Sequence, residues 1–171
     1  MIIKKTNLEG VFEIENQIFK DHRGLFVKTF HSKIFADNDL EVNFKESFYS
    51  ISKKNVLRGM HFQCPPHDHV KLVYVTSGEI MDVAVDIRQQ SPTFGNWYST
   101  VLSSKNARSL YMGKGFAHGF LALSDLAIVV YLTSSVHSPE SDSGIRWDSF
   151  GFEWGVEKPI ISDRDANFNP L

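Results

Sequence analysis

The sequence predicts an all-β sandwich or barrel, and three observations carry that prediction. Side chains alternate with period two through Lys71–Arg88, about nine short strand-like segments follow one another between turn residues, and only Ser32–Asn38 has helical character. Gly10–Ile14 opens the series, and Leu25–Phe30 follows the Arg23-Gly24 turn. Asn43–Ser52 comes after the short helix. Within Lys71–Arg88, Met81, Val83, Val85 and Ile87 fall on one side of a strand, with Asp82, Ala84, Asp86 and Arg88 on the other. Ser77-Gly78 supplies a turn there, so the segment predicts a hairpin. Trp97–Leu102, Ser109–Met112, Gly119–Leu123 and Ala127–Thr133 complete the set. Ser91-Pro92-Thr93, Lys105-Asn106, Gly113-Lys114-Gly115 and Ser138-Pro139 punctuate them.

Length and composition fit one domain over residues 1–171. A chain of 171 residues with 42% hydrophobic and 22% charged residues buries about two-thirds of its unfolded surface, enough for a real core. No linker, repeat or low-complexity segment divides it. The net charge of −2 gives no electrostatic footprint for nucleic acid. The single cysteine, Cys64, has no internal disulfide partner, and the opening MIIKKTNLEG lacks the apolar core of a signal peptide. The longest apolar stretch, Leu121–Leu132, is interrupted by Ser124 and Asp125 and is too short to span a bilayer. A cytoplasmic protein without membrane or nucleic-acid partners is expected. The aromatic content of 13% suits a β core, an aromatic-lined pocket, or both.

Two polar clusters suggest chemistry. Between Arg58 and Lys71 lie His61, His67 and His69, so that five basic or titratable groups fall within fourteen residues. If the strand begins at residue 67, His67, His69 and Lys71 share one face. His118 follows the Gly113-Lys114-Gly115 turn, and together the clusters predict an interior lined with imidazoles. An isolated histidine such as His22 is in most cases a hydrogen-bonded structural residue; clustered groups aimed at one interior need a reason to be there. In one reading His67, His69 and His118 bind a metal, echoing the His-x-His and Gly-x-x-His pattern of metal-binding cupins. Against it, Val73 and Tyr74 occupy the positions where a ligating carboxylate is needed, and the Lys71 ammonium repels a divalent cation. In the other reading a histidine removes a proton from carbon beside a carbonyl, Lys71 stabilises the oxyanion, and Tyr131 returns a proton from the opposite face.

The segments Asp21–Phe26, Asn55–Gln63, Lys71–Val73, Gly78–Arg88, Ser91–Trp97, Gly115–Phe120 and Gly144–Trp147 follow in an order that resembles the dTDP-4-dehydrorhamnose 3,5-epimerase family of nucleotide-sugar epimerases. The resemblance runs from about residue 5 to the C-terminus. It implies an all-β, cupin-type double-stranded β-helix (jelly roll) with short helical segments, no metal and no cofactor, acting as a homodimer on a nucleoside-diphosphate 4-keto-6-deoxyhexose. It places the base on His61, its orienting carboxylate on Asp165, the enolate-stabilising cation on Lys71 and the acid on Tyr131. Arg23, Arg58 and His118 match positions that contact diphosphate or sugar, and Phe26 one that packs on the base or ribose.

Three positions depart from the family's pattern. His137 stands where a second tyrosine is usual, Glu46-Ser47-Phe48 replaces a Gln-x-Asn that lines the sugar site, and Lys28 replaces a glutamate near the nucleobase. These leave open whether C3 alone or C3 and C5 are inverted, and whether the nucleotide is dTDP, CDP or GDP. The competing expectations are a metal-dependent cupin isomerase or dioxygenase, and a sugar-nucleotide binding module without turnover.

Overall fold

The β-branched and aromatic segments build two facing antiparallel sheets in a computed structural model that describes residues 1–171. In chain order the strands are β1 (Ile2–Lys5), β2 (Val11–Glu15), β3 (Gln17–Asp21), β4 (Gly24–Lys28), β5 (Glu46–Lys53), β6 (Leu57–Gln63) and β7 (Lys71–Ser77). They continue with β8 (Glu79–Asp86), β9 (Trp97–Ser103), β10 (Arg108–Met112), β11 (Phe116–Ala122), β12 (Leu126–Thr133) and β13 (Asp142–Gly144). Two short helices, α1 (Ser32–Ala36) and α2 (Asp163–Ala166), complete the chain. One sheet runs β1-β2-β10-β7-β12-β5, the other β13-β6-β11-β8-β9, and β3 pairs only with β4. This is the jelly roll that the resemblance implies. No helix is long and apolar enough to cross a membrane.

The interior changes character along its length. Inward positions read Lys71, Val73, Val75 along β7 and Thr133, Tyr131, Val129, Ala127 along β12, so one end is polar and the other apolar. At the apolar end both sheets contribute to one core that includes Val75, Ile80, Leu102, Leu110, Phe120 and Val129. Each such side chain, fully buried, stabilises the fold by roughly 1.5–3 kcal/mol, and together they offset the cost of holding polar groups at the other end.

Alternation in β8 carries a different meaning from its surface appearance. Val83 and Val85 turn to the outer face of the five-stranded sheet, where Ile145, Phe150 and Trp154 cover them. Ile80 and Ala84 face the inter-sheet core. Both faces are therefore buried, and Asp82 and Asp86 are fully enclosed.

The expected hairpin across Ser77-Gly78 does not form. β7 pairs with β10 and β12, whereas β8 pairs with β11 and β9 in the other sheet. Gly78, at φ +77°, turns the chain from one sheet to the other beneath Leu126 O and Ser124 Oγ, where a β-carbon would collide with both. The strand also begins at Lys71 rather than residue 67, so His67, His69 and Lys71 do not form a shared strand face. His67 instead turns to Ser141, with Nδ1 2.9 Å from Oγ. β1, β3, β6, β13 and α2 have no counterpart among the expected elements. Gly78→Ala is expected to destabilise the protein by more than about 1 kcal/mol, read as a lower urea midpoint at unchanged slope.

Candidate active site

The polar end of the interior opens into a cavity of about 420 Å³ between the sheets. β6 sends His61 into it only because Gly59 bends the strand. At φ +139°, with a β-carbon position only 2.5 Å from Gly119 Cα, residue 59 has room for glycine alone. The bend also aims the Gly59 N–H at Asp165 Oδ2, 3.0 Å away.

Asp165 arrives from the far end of the chain. Ser162 caps α2 by accepting the Asp165 N–H at 3.1 Å, and Asp165 Oδ1 then lies 2.8 Å from His61 Nε2. Burial opposes ionisation of Asp165, but the bond and charge of His61, with the Gly59 N–H and Ser162, outweigh it and lower its pKa. A carboxylate only accepts, so His61 Nε2 carries a hydrogen, and in the neutral ring it is Nδ1 that has the lone pair. The Phe168 ring stands edge-on to this imidazole at 5.9 Å.

A second histidine–aspartate pair lies beside the first. His118 is the register partner of His61, and its Nε2 meets Asp82 Oδ1 at 2.7 Å, both groups being buried. Burial lowers the His118 pKa against the pull of Asp82. Asp82 Oδ2 has no hydrogen-bond partner. Lys71, which lines the cavity, is pushed down to about 8 by burial, with Asp82 and Asp142 opposing that shift.

Across the cavity, Tyr131 lies within 3.1 Å of the Ser50 hydroxyl. Its ring stacks on Phe48 at 4.7 Å and 16°, and burial pushes its phenol pKa up. Arg58 is fastened by Nε to Ser52 Oγ at 3.0 Å and by a terminal nitrogen to Ile51 O at 3.3 Å. At the rim, Glu46 Oε2 accepts the His137 N–H at 2.7 Å.

Nine of the residues singled out from the sequence thus line one cavity: Glu46, Phe48, Arg58, His61, His69, Lys71, His118, Tyr131 and His137. Asp165 stands directly behind His61. Arg23, Phe26 and Lys28 do not join them. They lie on the separate β3–β4 hairpin, where Arg23 pairs with Asp21 at 2.6 Å and Phe26 is 60% exposed beside Phe19. The hairpin pairs with neither main sheet, so nothing in this chain carries those side chains to the cavity. The sequence reading missed Ser50, Gln63, Asp142 and Arg164, which also line it, and Asp82 behind His118. Arg164 stands next to Asp165 in sequence and pairs with Asp142 at 2.8 Å; of the rest, only the Asp82/Asp86 alternation gave a signal.

Likeness to known proteins extends over the whole arrangement. The family model described as dTDP-4-dehydrorhamnose 3,5-epimerase matches residues 5–171. The enzyme of that name from Methanothermobacter thermautotrophicus is 47% identical, over 98% of this chain and 92% of its own. Among solved structures, dTDP-6-deoxy-D-glucose-3,5-epimerase from Legionella pneumophila, in complex with dTDP-4-keto-L-rhamnose, superposes with a TM-score of 0.94 at 37% identity, over 99% of this chain and 92% of that one. A 3'-monoepimerase from Streptomyces bikiniensis, in complex with dTDP-quinovose, superposes with a TM-score of 0.92 at 30% identity, over 98% and 86%. A jelly roll whose polar end gathers this set of side chains, matched over nearly its full length, belongs to the dTDP-4-dehydrorhamnose 3,5-epimerase family.

Proposed function

We propose that the protein epimerises C3 of a nucleoside-diphosphate 4-keto-6-deoxyhexose, with C5 following by the same chemistry, and that dTDP carries the sugar. The observation that carries this reading is the placement of His61 and Tyr131 on opposite sheets. His61 belongs to β6 of the five-stranded sheet and Tyr131 to β12 of the six-stranded sheet, and both line one cavity. A sugar between them meets a base on one face and an acid on the other.

In the proposed step His61 Nδ1 takes the proton from C3, and Asp165 stabilises the imidazolium that forms. Electrons from the broken C–H bond move toward the C4 oxygen, where the Lys71 ammonium meets the negative charge. Tyr131, kept protonated by its raised pKa, delivers a proton to C3 from the other side. The reaction moves protons without net oxidation, so its balance requires no redox cofactor.

We further propose a homodimer in which the β3–β4 hairpin of one copy completes the cavity of the other. This gives Arg23, Phe26 and Lys28 access to the nucleotide that their own chain denies them, and it covers Phe19, Leu25 and Phe26, all exposed in one copy. Sedimentation is expected to give twice the 19.5 kDa chain mass, with Arg23→Ala raising KM; a monomer with full activity refutes the arrangement.

The chemical step is tested with dTDP-4-keto-6-deoxyglucose in deuterated water, followed by NMR and mass spectrometry. Deuterium at C3, or at C3 and C5, is expected; none at either carbon refutes the reading for this substrate. His61→Ala is expected to slow exchange by about 10²–10⁴-fold. Tyr131→Phe is expected to exchange C3 without inverting it, because His61 returns the deuteron to the face it came from.

The alkaline limb of the rate follows from Lys71. Its active form is the ammonium, and the groups around it are Asp82, Asp142, His69 and His118. With its pKa at about 8 in the free protein, kcat/KM is expected to fall as pH rises through that value. In Lys71→Arg, which stays charged, that limb should vanish from the pH profile of the residual activity.

A further inference from the structure

Ser50 lines the same cavity as His61 and Lys71, yet the proton-transfer steps give it nothing to do. It stands on β5, the edge strand of the six-stranded sheet, which pairs only with β12. Phe48 is the register partner of Tyr131 and Ser50 that of Val129, so Ser50 sits diagonally across from Tyr131. Phe48 stacks on the phenol ring, while Ser50 Oγ meets the phenol oxygen at 3.1 Å. That contact is the only hydrogen bond the chain makes to Tyr131 Oη. Arg58 is committed to Ser52 Oγ and Ile51 O; it and Asp82 reach the phenol through charge alone, in opposite directions.

In the resting protein either hydroxyl can be the donor. Reaction removes the choice. A phenol that points its O–H at carbon has only lone pairs left for Ser50, and a phenolate has nothing but lone pairs. In the delivery step the Oη–H bond breaks, a C3–H bond forms, and the electron pair of the broken bond stays on Oη. Burial disfavours the charge that results, and Ser50 O–H is the donor within reach of it.

We infer that Ser50 is a positioning residue for the acid: its O–H donates to Tyr131 Oη, directing the phenol proton at C3 and stabilising the phenolate left behind. The inference rests on the epimerase reading with Tyr131 as the acid. Ser50 transfers no proton, and it acts only after His61 has taken the proton from C3. Its loss slows delivery from the far face and leaves removal at the near face untouched. The enolate then returns more often through His61, with its configuration kept.

The partition of that enolate is the test. Wild-type protein and Ser50→Ala are incubated with dTDP-4-keto-6-deoxyglucose in deuterated water, and NMR follows two products: sugar inverted at C3, and sugar deuterated at C3 without inversion. The ratio of the second to the first is expected to rise by about 10–100-fold in Ser50→Ala, the effect of losing one hydrogen bond to a charged oxygen, while KM changes by less than about threefold. Ser50→Thr, which keeps the hydroxyl, is expected to stay within about threefold of the wild-type ratio. A loss of folded protein lowers both products alike, so the ratio reads active molecules only. An unchanged ratio in Ser50→Ala overturns the role, and so does a Thr variant as skewed as the Ala variant. A KM raised by about tenfold at unchanged ratio makes Ser50 a sugar-binding group and overturns it as well. Wild-type protein that places no deuterium at C3 refutes the epimerase reading and the inference with it; exchange in the wild type with an unshifted Ala variant refutes the inference alone.

Discussion

The bond between His61 and Asp165 is the interaction through which the rest of the structure positions the imidazole proposed as the base. It joins residues 104 apart in sequence, and neither end is held by local geometry alone. His61 depends on the bend at Gly59, and Asp165 depends on the Ser162 cap and on the C-terminal segment behind it. That segment is fastened by Ile145, Phe150 and Trp154, which bury the apolar outer face of β8 and β11. A charge-assisted hydrogen bond contributes about 1.5–3 kcal/mol, the same order as burying one such side chain. Several of these side chains together therefore outweigh the bond. The apolar packing on the outside of the five-stranded sheet fixes where Asp165 stands, and Asp165 fixes the tautomer of His61.

The second constraint is the mixed content of the barrel. The Lys71 ammonium, the Asp82 and Asp142 carboxylates and the imidazoles of His61, His69 and His118 share one end of an interior whose other end is hydrocarbon. Burial would neutralise all of them if they were isolated. Here the compromise is uneven: His118 and His69 are driven toward the neutral form, while Asp82 and Asp142 support a charge on Lys71 that burial has weakened. An ammonium with pKa of about 8 is charged at neutral pH and only partly compensated, since Asp82 already binds His118. Such a group attracts an oxyanion more strongly than a solvated lysine does, because little water is present to screen it.

Much of the fold was legible in the sequence, because β8 alternates, β12 is a continuous run of apolar and β-branched residues, and the turns between strands are rich in glycine and proline. Alternation reports faces but not partners, which is why the Ser77-Gly78 turn read as a hairpin when it is a crossing between sheets. β6 went unseen for another reason: Arg58, Gly59 and His61 interrupt the apolar pattern, so the segment reads as chemistry. Of the site, Lys71, Tyr131 and a histidine base followed from residue type and spacing, whereas Asp165 was reached only through the resemblance. Asp82 was placed only on the side of its strand opposite Val83 and Val85; that this side faces the interior could not be read, since the sequence does not show that a distant C-terminal segment covers the apolar one.

His61 and Tyr131 stand on different sheets, whereas Glu46, Gln63 and His137 line the rim of the cavity. The two regions answer to different physical demands. Inversion needs only that β6 and β12 face each other across a gap wide enough for a sugar ring, which the packing of two sheets supplies. Recognition of the rest of the substrate depends on a rim held by a few hydrogen bonds: Glu46 to His137 on one side, and Gln63 to Val136 and Ser138 on the other. Substituting a rim residue changes what those bonds present without touching the inter-sheet core. On the roles proposed above, substitutions at Glu46 or His137 would alter the part that selects, while His61, Lys71, Tyr131 and Asp165 form the part that reacts.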